Sequence, residues 1–192
     1  LIMAAVLIFS VIVCLIDAVL QPNYFVKIPI QIVFFLALPM IFFLRNKSDF
    51  KDFKSLFVFR KRGVLKALAL GIAVYAVILS AFLLTRNIFD YSNVTSSLTE
   101  GMGITADNFI YVSLYISLAN SFLEEFFFRG FGFMTLKRHT SPKIAYIFSS
   151  AVFAVYHIGM LWEMFNIGVL LLLMFGLIVG GCIFNYLNER ND

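Results

Sequence analysis

Six long apolar runs, separated by short polar stretches, organise this chain. They cover residues 1–20, 26–44, 64–84, 108–136, 144–162 and 166–187. Each is close to the about 20 residues with which one helix crosses a bilayer. The fourth run is the longest, long enough to tilt or to emerge from the membrane. No internal repeat and no low-complexity linker divides the runs. The expected fold class is therefore all-α: a polytopic membrane helix bundle of about six transmembrane helices, one integral-membrane domain over residues 1–192.

Composition agrees with the pattern. The 192 residues are 61 % hydrophobic and 14 % charged, with mean hydropathy +0.94. Soluble domains run at about 45–50 % apolar and about 25 % charged. The gap excludes an ordinary soluble globule, a disordered chain and a fibrous repeat. Twenty-four Phe suit a surface that faces lipid. Cys14 and Cys182 lie inside apolar runs, too few for a disulfide framework and without metal-ligand spacing. Leu1 opens the chain with no charged leader before the first run, so the chain is expected to be clipped at its N-terminus.

The net charge of +4 has a use other than nucleic acid: orientation at the membrane face. Twelve of the 15 Lys and Arg fall in the second loop, the fourth loop and the C-terminal tail, against Lys27 and Arg86 on the opposite side. That asymmetry assigns loops 45–63 and 137–143 and the C-terminus to the cytoplasm. In the second loop Phe50, Phe53 and Phe57 share one helical face with lysines opposite, the pattern of a short helix lying in the interface. A folded cytoplasmic connector is the alternative.

Ionisable groups inside a span are costly, and each one needs an explanation. Asp17 lies near the end of its run and is read as reaching the solvated interface. Glu163, beside Trp162, is read in the same way. Glu124, Glu125, Arg129 and His157 lie deeper. Successive helical residues point about 100° apart, so the adjacent glutamates face different surroundings. Glu125 and Arg129 stand four apart, where opposite charges meet and neutralise each other. Glu124 has no such partner; Asn120, Ser121 and Phe128 are the neighbours on its face. A carboxylate in that position suits a general base or proton shuttle.

Counting from the basic end, Glu124 lies about 18 Å and His157 about 20 Å along their helices. The two spans are antiparallel and joined by a short loop. Glu124 and His157 are thus expected at one depth, facing one polar cavity that opens towards the cytoplasm and able to share a water. The alternative is a structural polar cluster that fixes helix packing in lipid. One His and two divergent Glu make no zinc set, and His-Glu-x-x-His is absent, so no metal is expected. His139, in the basic loop, is read as solvated.

Glu124-Glu125-x-x-x-Arg129, followed in the next span by Phe153-x-x-x-His157, resembles the first two motifs of the CAAX protease and bacteriocin-processing family, also called the Abi family. Ser149-Ser150 ahead of Phe153 and the glycine-rich stretch from Gly176 to Gly181 are similar as well, so the resemblance covers residues 121–188. It implies an all-helical intramembrane endopeptidase in which Glu124 and His157 activate the water that attacks the scissile amide. Glu125, Arg129 and Phe153 would support the site. The family's third motif, a His or Asn four residues before an Asn or Asp on a further helix, has no match in an apolar run. Asn188 and Asp192 have the spacing but fall in a polar tail, too shallow for a shared site. They are read as the loop before a further helix, so the chain is expected to continue past Asp192.

The leading expectation is a protease with no cofactor and no nucleic-acid partner. Its substrate is a peptide or a C-terminal protein segment arriving from the membrane or the cytoplasm. The alternative is a non-catalytic scaffold or bacteriocin-immunity protein on the same fold. A transporter would show inverted repeats and broken helices, and neither is visible. The Phe, Ile, Lys and Asn usage points to a bacterial plasma membrane.

Overall fold

The computed structural model describes residues 2–20, 22–46, 61–88 and 90–191. The expected interfacial helix over 50–57, most of the basic second loop, Leu1 and Asp192 lie outside the described residues. The described residues are 87 % helical, with no strand among them.

Among the described residues, seven helical stretches follow in order: α1 (Ile2–Leu20), α2 (24–45), α3 (Lys61–Thr85), α4 (92–101), α5 (109–139), α6 (Pro142–Leu161) and α7 (Ile167–Asn191). Side-chain caps set the starts of α2, α6 and α7. Asn23 Oδ1 accepts from the Val26 N–H, Ser141 Oγ from the Ile144 N–H, and Asn166 Oδ1 from the Val169 N–H. Each satisfies an N–H group that a helix start leaves without a partner. Pro142 follows its cap at the first helical position, where its missing N–H costs nothing.

Five of these helices, α1, α2, α3, α6 and α7, are long and apolar enough to cross a membrane. The fourth run of the sequence, α5, is not among them. It carries Glu124, Glu125 and Arg129, and its second half is buried by its neighbours instead of being apolar throughout.

In lipid, apolar surface alone gives helices no reason to associate, and close approach over small residues takes over. α1 crosses α6 with Gly159 directly against the Cys14 backbone, and α6 crosses α7 with Gly181 against Ser150. There Ser150 Oγ accepts from Asn185 Nδ2 (3.2 Å) and Cys182 Sγ (3.3 Å). α3 packs against α7, but none of its apolar window is buried, and it presents nearly its whole surface outward.

The core is aromatic and lies towards one end of the bundle. Phe127, Phe128, Phe131 and Phe133 of α5 meet Phe35 and Phe43 of α2, all essentially inaccessible. Phe35 stacks on Phe127 with centroids 4.7 Å apart, and Phe133 meets Tyr146 edge-on at 4.7 Å. At that end α5, α6 and α7 are tied by Glu189, which binds Lys137 Nζ (2.6 Å) and accepts from Tyr146 Oη (2.6 Å). This is the basic end, with Arg45, Lys61, Lys137, Arg138, Lys143 and Arg190 at the helix termini that meet there. The opposite end carries α4 and the 102–108 segment. Gly103, at φ +67°, turns the chain there, and Asn108 braces the turn by donating to the Gly103 carbonyl and accepting from the Thr105 N–H.

Candidate active site

Glu124 lies where α5 departs from regular α geometry. Residues 115–120 and 125–135 follow the wider π pattern of i→i+5 bonding, and α-helical residues 121–124 lie between them. Ser121 Oγ and Thr135 Oγ1 each donate to the carbonyl five residues back, Ile116 and Gly130. Such segments are frequent at functional sites.

The Glu124 carboxylate is gripped on one oxygen. Oε1 accepts from Asn120 Nδ2 at 2.9 Å and from Tyr156 Oη at 3.3 Å. Tyr156 is 3 % exposed, and its own hydroxyl accepts from Gln31 Nε2 at 2.8 Å. One residue on, His157 Nδ1 lies 2.8 Å from the Phe153 carbonyl. A carbonyl only accepts, so Nδ1 carries the proton and Nε2 is left to act on whatever occupies the cavity. Phe153 links two site residues, while its ring also meets Phe128 edge-on at 5.2 Å. Its ring meets His157 edge-on at 4.5 Å, and the Arg129 guanidinium lies 3.9 Å from the ring centroid.

Arg129 is 1 % exposed, and Arg129 Nε lies 3.4 Å from Glu125 Oε1, as the four-residue spacing suggests. The glutamate is the more exposed partner, with 43 % of its side chain accessible, Arg129 is buried, and neither lines the cavity. Asn188 does not line the cavity and donates to the Phe184 carbonyl.

Glu124, Tyr156 and His157 line one cavity of about 300 Å³, together with Asn120, Ser121, Gln31, Asp17 and Lys27. Met, Ile and Leu side chains complete it. Among the described residues no three His, Cys, Asp or Glu side chains converge in metal-binding fashion.

Two expectations need correction. Asp17 is not solvated. It is 8 % exposed and holds Lys27 Nζ at 2.7 Å, a buried ion pair in the cavity wall. The cause is Lys27, counted in the sequence only as a charge on the side opposite the basic loops; α2 places it in its first turn, opposite the end of α1. The cavity also does not open towards the basic end. Leu98, Met102, Ile104 and Met164 line it, and a smaller chamber beside it adds Pro22, Gly101 and Glu163, all from the opposite end. The buried phenylalanines of α5 and α2 fill the basic half and close that route.

Tyr156 and Gln31 were missed by sequence reasoning. Tyr156 looks like one more aromatic in an apolar run. Gln31 did carry a signal, a lone amide within the second apolar run, where an unsatisfied polar group is expensive.

The fold and cavity define a class: an all-helical membrane protein in which a glutamate and a histidine line one cavity within the helix bundle. Residues 106–192, which hold α5 to α7 with all the motif residues, match the family model described as Type II CAAX prenyl endopeptidase Rce1-like. No curated protein and no solved structure matches the chain. Asp17, Lys27 and Gln31 lie outside the matched segment.

Proposed function

We propose that this protein is an intramembrane endopeptidase in which Glu124 and His157 activate water against a peptide bond. The observation that supports it is their shared cavity, in which, among the described residues, Glu124 accepts hydrogen bonds through Oε1 and His157 is tied through Nδ1. Glu124 Oε2 and His157 Nε2 then address the same space. A water between them gives one proton to Oε2 and is oriented by Nε2 as its oxygen bonds to the scissile carbonyl carbon. The proton passes from Glu124 to the leaving nitrogen as the C–N bond breaks, so the glutamate ends as it began. Glu125, Arg129 and Phe153 support the site: Phe153 bridges the Arg129 cation and the His157 ring, and Glu125 balances the arginine's charge. The match to CAAX prenyl endopeptidases makes a prenylated C-terminal segment the first substrate to try.

The test is cleavage of a quenched-fluorescent, prenylated C-terminal peptide and its unprenylated form by protein in liposomes. Glu124→Gln and His157→Ala should each lower the rate by about 10² or more at unchanged thermal stability, the scale of general-base catalysis. Full activity in Glu124→Gln refutes the mechanism. Absence of cleavage of either peptide by the unaltered protein favours the scaffold reading.

A further inference from the structure

We propose that Tyr156 and Gln31 are positioning residues for Glu124, so that helix α2, outside the family-matched segment, forms part of the site's machinery. This inference deepens the glutamate–histidine reading and rests on it for its catalytic meaning.

The direction of the hydrogen bonds carries the argument. A carboxylate only accepts, so the Tyr156 hydroxyl, 3.3 Å from Glu124 Oε1, donates to it. With its one proton committed, that hydroxyl oxygen accepts from its other neighbour, Gln31 Nε2 at 2.8 Å. The Gln31 amide is thereby oriented nitrogen-first. Asn120 Nδ2 reaches the same Oε1 from the preceding helical turn. Both donors converge on Oε1 and leave Oε2 as the proton-accepting oxygen. Aligned hydrogen bonds in a low-dielectric setting polarise one another, which strengthens the grip on Oε1.

Each link is itself fixed. The Tyr156 ring meets Phe35 edge-on at 5.3 Å and leans on Phe128 at 5.5 Å. Gln31 is 1 % exposed, and Lys27, four residues earlier on the same face of α2, is pinned to Asp17. The α1–α2 ion pair thus sets the position from which Gln31 acts. A glutamine placed for packing alone would carry no directional chain ending on the reactive carboxylate.

The test uses full-length protein and a readout that needs no substrate. A hydrophobic carbodiimide, dicyclohexylcarbodiimide, labels membrane carboxyl groups, and mass spectrometry gives the rate at Glu124, with Glu124→Gln as the blank. Tyr156→Phe removes only the hydroxyl and should raise that rate several-fold. Gln31→Glu offers the Tyr156 hydroxyl a competing carboxylate and should do the same, while Gln31→Leu, which leaves the tyrosine proton on Glu124, should change it less. In the peptide assay Tyr156→Phe should lower kcat about tenfold with KM little changed, the loss of one hydrogen bond. Equal labelling in Tyr156→Phe and unaltered protein, or a rise in KM alone, overturns the proposal. Altered labelling in a protein that cleaves nothing supports the positioning geometry and refutes the protease reading instead. Should Tyr156→Phe fail to fold, the order of Gln31→Glu above Gln31→Leu decides the matter, and equal rates in those two overturn it.

Discussion

Replacing Gly159 by alanine tests the packing that holds α1 in position. A Cβ on Gly159 would fall inside van der Waals contact of the Cys14 carbonyl oxygen, 3.0 Å from the carbonyl carbon and 3.1 Å from the Cys14 Cα. These are backbone atoms, so no rotamer change relieves the clash and α1 itself must move. Overpacking of this kind costs about 1–3 kcal/mol. Against it stands the helix propensity gained from Gly to Ala, up to about 1 kcal/mol. Gly180 on α7 is the control, since a Cβ there meets nothing within 4 Å. Gly180→Ala should be neutral or slightly stabilising. Gly159→Ala should melt below it in detergent, by roughly 2–12 °C for a chain of this size. Asp17 lies one turn beyond Cys14, so the displacement of α1 should also loosen the Lys27 pair. Equal melting temperatures for the two variants would refute the close backbone crossing of α1 and α6.

Two further predictions concern charge. Asp17→Asn leaves Lys27 buried without its partner and should lower stability by on the order of 3–5 kcal/mol, while Asp17→Asn combined with Lys27→Met should recover most of the loss in the same thermal assay. A solvated Asp17 would instead make the single change neutral. Glu125→Gln should cost less, about 1–3 kcal/mol, because the glutamate is partly exposed and its pairing is screened. Adding Arg129→Met should restore melting temperature, and a Glu125→Gln variant as stable as the unaltered protein would show that Arg129 does not depend on this partner.

The helical membrane architecture is legible in the residues alone, because crossing a bilayer requires about 20 apolar residues and that requirement is local. So is the Glu125–Arg129 pairing, since four-residue spacing brings side chains together on any helix. Glu124 and His157 stood out for the same reason: an ionisable group in an apolar run is conspicuous without a fold. Which helices meet is a matter of packing that no local pattern shows. Tyr156 and Gln31 lie 125 residues apart, and their 2.8 Å hydrogen bond exists because α2 packs beside α6. Asp17 became a buried ion pair because the end of α1 faces the start of α2. The side on which the cavity opens was decided by aromatic packing. α5 continues past Glu124 as a row of phenylalanines, and only their burial against α2 and α6 shows that they fill the basic half and leave the chamber to the other end.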